Sequence, residues 1–270
     1  MNAWHIAVRE IRIGFRNPWA YSFLGLFSVF SLSLLLIQAQ NDVEGFSSIT
    51  GTLLNLMLYL LPLMALLLGT FTLTSEKEEG SWQLLSSYPL STFAFLSGKY
   101  IGMAIVMLTI VAFGFGLTGV VGALVGIRFG AFGLFIAFSS GLVLLFLAVA
   151  LWLGTIASNR WQALIYGVSV WFFSVIGWPT LLIAVLGFVP YGFIKPILLA
   201  LTALNPAEFV RLFVIVRLGG GSALGPEYYD WIVWVRGPYG LLLFSLLFVG
   251  FIGAAAGVSY VVWERRRIRG

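Results

Sequence analysis

Residues 129–159 read FGAFGLFIAFSSGLVLLFLAVALWLGTIASN, a run without one charged side chain, closed at its two ends by Arg128 and Arg160. A helix needs about 20 apolar residues to cross the hydrocarbon core of a bilayer, so this run holds one crossing and not two. Five further uncharged intervals have the same character: 17–41, 45–75, 100–127, 161–194 and 237–263. Apart from 80–98, which Pro89 interrupts, every other uncharged stretch is 12 residues or shorter. The spans are expected at about 19–37, 52–74, 99–126, 132–156, 162–189 and 238–263, with 161–194 leaving several residues to spare. None shows the polar face that a helix of a soluble protein would carry.

Composition supports the same reading. The 270 residues are 60% hydrophobic and 9% charged, where a soluble domain carries roughly 25% charge. The expected fold class is an all-α polytopic integral membrane protein, one transmembrane domain over 1–270. Its net charge of +5 then reports orientation rather than nucleic-acid binding. Six spans put both termini on one side. That side would hold Arg9, Arg12, Arg16, Lys77, Lys99, Arg160, Arg265, Arg266, Arg267 and Arg269, against Arg128, Lys195, Arg211, Arg217 and Arg236 on the other. The excess places both termini in the cytoplasm and the chain in a multi-pass cytoplasmic (inner) membrane location. The loop 38–51 carries Asp42 and Glu44 and no basic residue, as an exported loop should. Trp19, Tyr21, Trp161, Trp178, Tyr239, Tyr260 and Trp263 fall near expected span ends, where aromatic rings favour the headgroup zone.

The N-terminus has a basic stretch and then an apolar one, but the apolar run is longer than a signal-peptide core and no clear small-x-small cleavage site follows. It reads as a retained first span. Before it, in 1–17, Trp4, Ala7, Val8, Ile11 and Phe15 recur at helical spacing, with Arg9, Arg12 and Arg16 on the rest of the wheel. That pattern predicts an amphipathic helix lying in the interface, an anchor rather than a site.

Absences narrow the function. Cysteine is missing, and His5 is the one histidine beside five methionines, so neither thiolate metal sites nor a transition-metal pathway is expected. No ionisable residue lies mid-span, which disfavours a proton- or ion-driven secondary transporter. Asn55, Gln162 and scattered hydroxyls are the polar groups there, and Asn55 is a possible pathway residue. No metalloprotease or serine-hydrolase motif and no intramembrane carboxylate pair is present, so no catalytic residue and no enzyme are expected. Gly98-Lys99 is followed by Tyr100, with no glycine five residues before it, and is not a P-loop. Lys99 is expected to snorkel at the edge of the third span.

Two segments carry more than insertion. The connection 75–98 places Glu76, Glu78 and Glu79 before Trp82, Leu85 and Pro89. Ser75 and Glu78 have capping-box spacing, unless the second span runs straight through them. Pro89 ends one helix and Ser91 can cap the next. From spacing alone this is either a solvated hairpin with an acidic tip or a helix that docks in a groove of a cytoplasmic partner. The run Glu76-x-Glu78-x-Gly80-Ser81, then Leu84-Leu85, Ser87-Tyr88-Pro89-Leu90 and Gly98-Lys99, resembles the signature of ABC exporter permeases of the ABC-2 superfamily, and within it the NosY-like permeases of nitrous-oxide-reductase maturation. The likeness extends over the chain in layout and is sharpest at 76–99. It departs where the family often has a basic residue after the proline; here Ser91-Thr92 follow.

The resemblance implies a coupling helix in 75–98, with Glu76, Glu78, Glu79, Gly80, Ser81, Trp82, Leu85 and Pro89 meeting an ATPase subunit. It implies two such NosF-like subunits holding ATP and Mg, a second copy of this chain, no cofactor in this chain itself, and an extracytoplasmic NosD-like subunit. The cargo would serve copper-site maturation of nitrous oxide reductase; a lipid, amphiphile or drug is the alternative substrate.

The second segment, 190–236, is read as extracytoplasmic. Asn205-Pro206-Ala207-Glu208 has the form of a helix start, with Asn as N-cap and Pro at the first turn. Phe209, Leu212, Phe213 and Val216 share one face, Gly219-Gly220-Gly221 stops the helix, and Tyr228, Tyr229, Trp231 and Trp234 follow. The segment is either an interfacial helix packed over the bundle or a platform for an external partner, touching it through Asn205, Pro206, Glu208, Arg211, Tyr228 and Trp231. Its charges are expected to keep it at or above the headgroups. Small residues at fourfold spacing (Thr118, Gly122 and Gly126; Gly250, Gly253, Ala254 and Gly257) are expected to serve close helix packing within the chain.

Overall fold

The computed structural model describes residues 3–39, 48–80, 91–125 and 132–269. Among them every regular element is helical. The order is α1 (Ala3–Gly14), α2 (Pro18–Ala39), α3 (Ser48–Glu78), α4 (Thr92–Val125), α5 (Phe132–Ile156), α6 (Arg160–Trp171), a π-helical turn (Phe172–Gly177), α7 (Trp178–Gly187), α8 (Tyr191–Leu204), α9 (Pro206–Arg217), α10 (Tyr229–Arg236) and α11 (Gly240–Arg269). Among the described residues five helices are long and apolar enough to cross a membrane: Thr50–Glu78, Thr92–Leu124, Phe132–Ile156, Arg160–Gly187 and Gly240–Arg265. The count is up to six if the bent pair α8–α9 is one span. Over the interval read as the first span, α2 is an uncharged helix of 22 residues. Residues 40–47, residues 81–90 with Ser81, Trp82, Leu85 and Pro89, and residues 126–131 with Gly126 lie outside the described residues.

The core is the pairing of α3 with α5, extended by α4 and α2. Leu54, Met57, Leu61, Phe138 and Phe146 fill it. Close approach depends on small residues: a Cβ on Gly69 would stand 2.6 Å from that of Ala150. Thr118 does serve packing within the chain, sharing a 2.5 Å hydrogen bond with Ser31 across α2 and α4. The α11 glycines do not; a Cβ added at Gly250, Gly253 or Gly257 would meet nothing within 4 Å.

Helix ends follow the expected chemistry in part. Ser91 accepts from the Ala94 N–H at 3.2 Å and starts α4. Ser75 caps nothing, because α3 runs through it to Glu78. Asn159 accepts from the Gln162 N–H at 2.8 Å while the Gln162 side chain accepts from the Ser158 N–H at 2.9 Å, a reciprocal cap that opens α6.

The 190–236 segment is more deeply built in than a flat interfacial layer. α8 and α9 bend by 108° at Asn205, and α9 packs on α5, α3 and α11. Besides the expected face, Val210, Val214 and Ile215 are buried. Phe209 stacks on Phe244 at 5.1 Å and meets Trp231 edge-on at 5.6 Å. Asn205 joins the pieces: its Oδ1 accepts from the Ala207 N–H at 2.9 Å, and its Nδ2 donates to the Ser174 carbonyl in the π-helical turn at 2.7 Å. Asn205→Ala removes a cap and leaves a carbonyl short of a donor, so a loss of about 1–2 kcal/mol is expected, read as a lowered thermal midpoint of the purified protein.

Two more expectations are corrected. Trp178 and Trp263 are buried, although Trp19, Tyr21, Trp161, Tyr239 and Tyr260 are exposed as headgroup-level rings should be. On α1, Trp4 and Val8 are exposed, while the neighbouring face of Ile6, Ala7, Glu10 and Gly14 is buried. That second face packs on α4.

Candidate functional site

The last turn of α3, Ser75–Glu78, with Glu79 and Gly80 beyond it, forms the root from which 81–90 departs. Four consecutive charged side chains there are held by three different parts of the bundle. Glu76 accepts from Arg9 of α1 at 2.8 Å and pairs with Lys99 of α4 at 3.1 Å. Lys99 also pairs with Glu10 of α1 at 2.8 Å and donates to the Thr72 carbonyl at 3.1 Å. Lys99 is 0% exposed, so it does not snorkel. Two acids and two bases balance, which is what allows charge to be buried at all. Among the described residues the Glu76 Oε2 atom has no hydrogen-bond partner.

Lys77 turns the other way. Its Nζ donates to the carbonyls of Gly154, Thr155 and Ala157 at 2.8, 3.0 and 2.6 Å, where the unpaired acceptors and negative dipole end of α5 favour a cation. It also lies 5.4 Å from the Trp263 ring centre of α11. Glu78 accepts from the Arg160 N–H at 2.8 Å and from its guanidinium at 2.9 Å, and Glu79 pairs with the same guanidinium at 3.4 Å. A carboxylate at the first residue of α6 suits the positive end of that helix. Gly80 then takes φ +68°, a left-handed turn that ends α3.

The residues expected to meet an external partner form a second cluster. Glu208 is 4% exposed and receives Arg211 through two bonds of 2.9 and 2.5 Å. Arg211 reaches Asn55 of α3 at 3.4 Å. This pairing at i, i+3 removes the objection to burying the charges. Burial, and then the Glu208 carboxylate, pushes the Tyr228 hydroxyl above the ordinary tyrosine range. Asn205 and Trp231 are buried as well, so these side chains contact their own chain; Tyr229 and Val233 of α10 face outward.

Sequence reasoning singled out the acids of the root but missed their partners Glu10, Lys99 and Arg160. Glu10 is the one acid in an otherwise basic helix, and Lys99 the one charge within α4; those oddities are the available signal. Among the described residues no group of three or more His, Cys, Asp or Glu is placed to hold a metal ion.

Known proteins place this architecture. The chain matches the ABC-2 family transporter protein family over residues 4–266. It is 32% identical over 274 residues to the probable ABC transporter permease protein NosY of Stutzerimonas stutzeri, covering 97% of this chain and 98% of that protein. It is 34% identical over 278 residues to the protein of the same name from Pseudomonas aeruginosa, covering 98% of each. A helical, multi-pass chain, matched over nearly its whole length by these permeases, belongs to the ABC-2 transporter family and is the permease subunit of an ABC transporter.

Proposed function

We propose that residues 75–90 receive the stroke of the partner ATPase and pass it to the bundle from the root of the segment. The observation that carries this is the grip on Glu76, Lys77, Glu78 and Glu79, which ties one short stretch to α1, α4, α5 and α6 at once. A displacement of 81–90 would therefore pull several helices together rather than bend one loop. In this reading Ser81, Trp82, Leu85 and Pro89 meet the ATPase, while Glu76 before them is buried in the bundle and the exposed Glu78 and Glu79 are held to it through Arg160. Two NosF-like ATPase subunits supply ATP and Mg, two copies of this chain form the pathway, and both termini lie in the cytoplasm beneath the inner membrane.

The likeness to NosY-like permeases supports a cargo for nitrous-oxide-reductase maturation, and a component for its copper site is the proposed substrate. The outward residues of α10, Tyr229 and Val233, are the part of the 190–236 segment left available to a NosD-like external subunit.

Gly80 provides the test. A β-branched side chain at its φ of +68° costs about 1–2 kcal/mol of backbone strain, while nothing lies within 4 Å to clash with a new Cβ. Gly80→Val should assemble with the ATPase yet lose transport or transport-linked ATP hydrolysis. Unaltered coupled activity in the reconstituted complex would remove the root from the transmission path.

A further inference from the structure

We infer that Trp263 and Glu264 of α11 are positioning residues that yoke this helix to both roots of the 81–90 segment, so that α11 moves with the start of α4; the inference rests on the coupling role given to 75–90. The sequence departs from the family pattern at Ser91-Thr92, and α4 begins there. Ser91 caps α4 through the Ala94 N–H. The Thr92 hydroxyl, on a residue 4% exposed, serves a different helix and donates to the Glu264 carboxylate, 172 positions away in sequence. A buried hydroxyl needs such a partner, and a carboxylate beside the first turn of α4 also meets the positive end of that helix. One residue earlier, the buried Trp263 stacks on Phe95 of α4 at 5.2 Å. The Nζ of Lys77 lies 5.4 Å from the same indole. Lys77 precedes 81–90, and Thr92 and Phe95 follow it. Two adjacent residues of α11 therefore touch the chain just before that segment and just after it.

The packing around this contact makes it a joint. At its level Ile6, Leu73, Phe95, Leu96, Leu151 and Trp263 form a small core of their own, apart from the main one, to which α1, α3, α4, α5 and α11 all contribute. Further along, α4 and α11 part around a cleft of about 540 Å³, with Leu96, Tyr100, Ile252 and Gly257 among its walls. There α11 packs mainly on α5. What ties it to α4 on the root side is the Thr92–Glu264 bond and the Phe95–Trp263 stack. At the opposite end of α11, about 28 Å along the helix from Trp263, Phe244 stacks on Phe213 of α9 at 3.8 Å. A displacement of the start of α4 reaches that far end through the yoke.

The test is hydrogen exchange of the full-length chain reconstituted with its ATPase partner, with and without ATP and vanadate. In the parent, trapping should change exchange both at the start of α4 (92–99) and at the far end of α11 with α10 beside it (229–243). Losing one hydrogen bond to a charged group shifts the balance between joined and parted helix ends by about tenfold. Thr92→Val and Glu264→Ala should therefore each cut the nucleotide-dependent change at 229–243 by about half or more, while the change at 92–99 remains. Trp263→Leu, which removes the stack, should do the same. Thr92→Val combined with Glu264→Ala should add little to either alone, because both remove one bond. Glu264→Gln still offers Thr92 an acceptor oxygen and should restore the far response, which a general loss of stability would not allow. A parent that responds at 92–99 and not at 229–243 would overturn the inference. So would a full far response in Thr92→Val, Glu264→Ala and Trp263→Leu, which would mean that α11 moves with α5; in either case the coupling role of 75–90 would stand. A parent silent at both places would instead overturn that coupling role, and the yoke with it.

Discussion

Lys99→Met is expected to destabilise the permease by about 3–5 kcal/mol, the usual loss when one member of a buried ionic group is removed and its partners remain. The side chain is sealed, and it is the cation that Glu10 and Glu76 share at 2.8 and 3.1 Å. Without it, Glu76 keeps only Arg9, and Glu10 keeps no ion-pair partner among the described residues. The buried Glu10 charge is then stranded beside a second carboxylate, and the helices must part to admit water to it. The variant should show a lower thermal midpoint in detergent and a lower yield of folded protein. The triple change Glu10→Gln, Lys99→Met and Glu76→Gln should recover most of the loss, because a neutral cluster has no stranded charge. Arg9→Ala should cost much less, since its half-exposed side chain is screened by water. If Lys99→Met matches the parent in thermal midpoint, the cluster is not holding α1, α3 and α4 together.

The spanning helices and the ionic cluster differ in how far the sequence discloses them, and the difference is physical. A span is a local property: 20 apolar residues in a row have few alternatives in a bilayer, and the expected 132–156 coincides with α5. Asn205 as a helix cap is local too, because the cap and the groups it satisfies are two or three residues apart. The ion pairs of the root join residues 23 to 89 positions apart, and nothing in the periodicity of either partner announces the other. The 190–236 segment misleads for a related reason. Charges there argued for a position near water, but Glu208 and Arg211 neutralise each other one turn apart, and the helix that carries them packs among aromatic rings. The amphipathic face of α1 is legible but only Trp4 and Val8 of it point away from the bundle; Ala7, Ile11 and Phe15 pack inward beside Glu10 and Gly14, and those last two no hydrophobic pattern would select.

That inner face of α1 yields the second large effect. Gly102→Leu is expected to lever α1 away from α4 and to uncouple the root with it. A Cβ at Gly102 would stand 2.5 Å from the Glu10 Cβ and 2.7 Å from the Ala7 carbonyl oxygen, and one at Gly98 would stand 2.6 Å from the Ala3 carbonyl oxygen. Part of each obstacle is backbone, which cannot rotate aside as a long side chain could. Even alanine must shift α1; leucine adds a branched side chain with nowhere to go, at a cost of about 1–3 kcal/mol or more. The displaced helix takes Glu10 from Lys99 and Arg9 from Glu76, so the packing error becomes an electrostatic one. Hydrogen exchange of residues 3–14 should rise sharply in Gly102→Leu, and coupled ATP hydrolysis of the reconstituted complex should fall with it. Gly116→Ala is the control on the same helix, because nothing lies within 4 Å of its Cβ position. Gly98→Ala should fall between the two. An α1 that stays protected in Gly102→Leu would mean that its contact with α4 is not what fixes Glu10 beside Lys99.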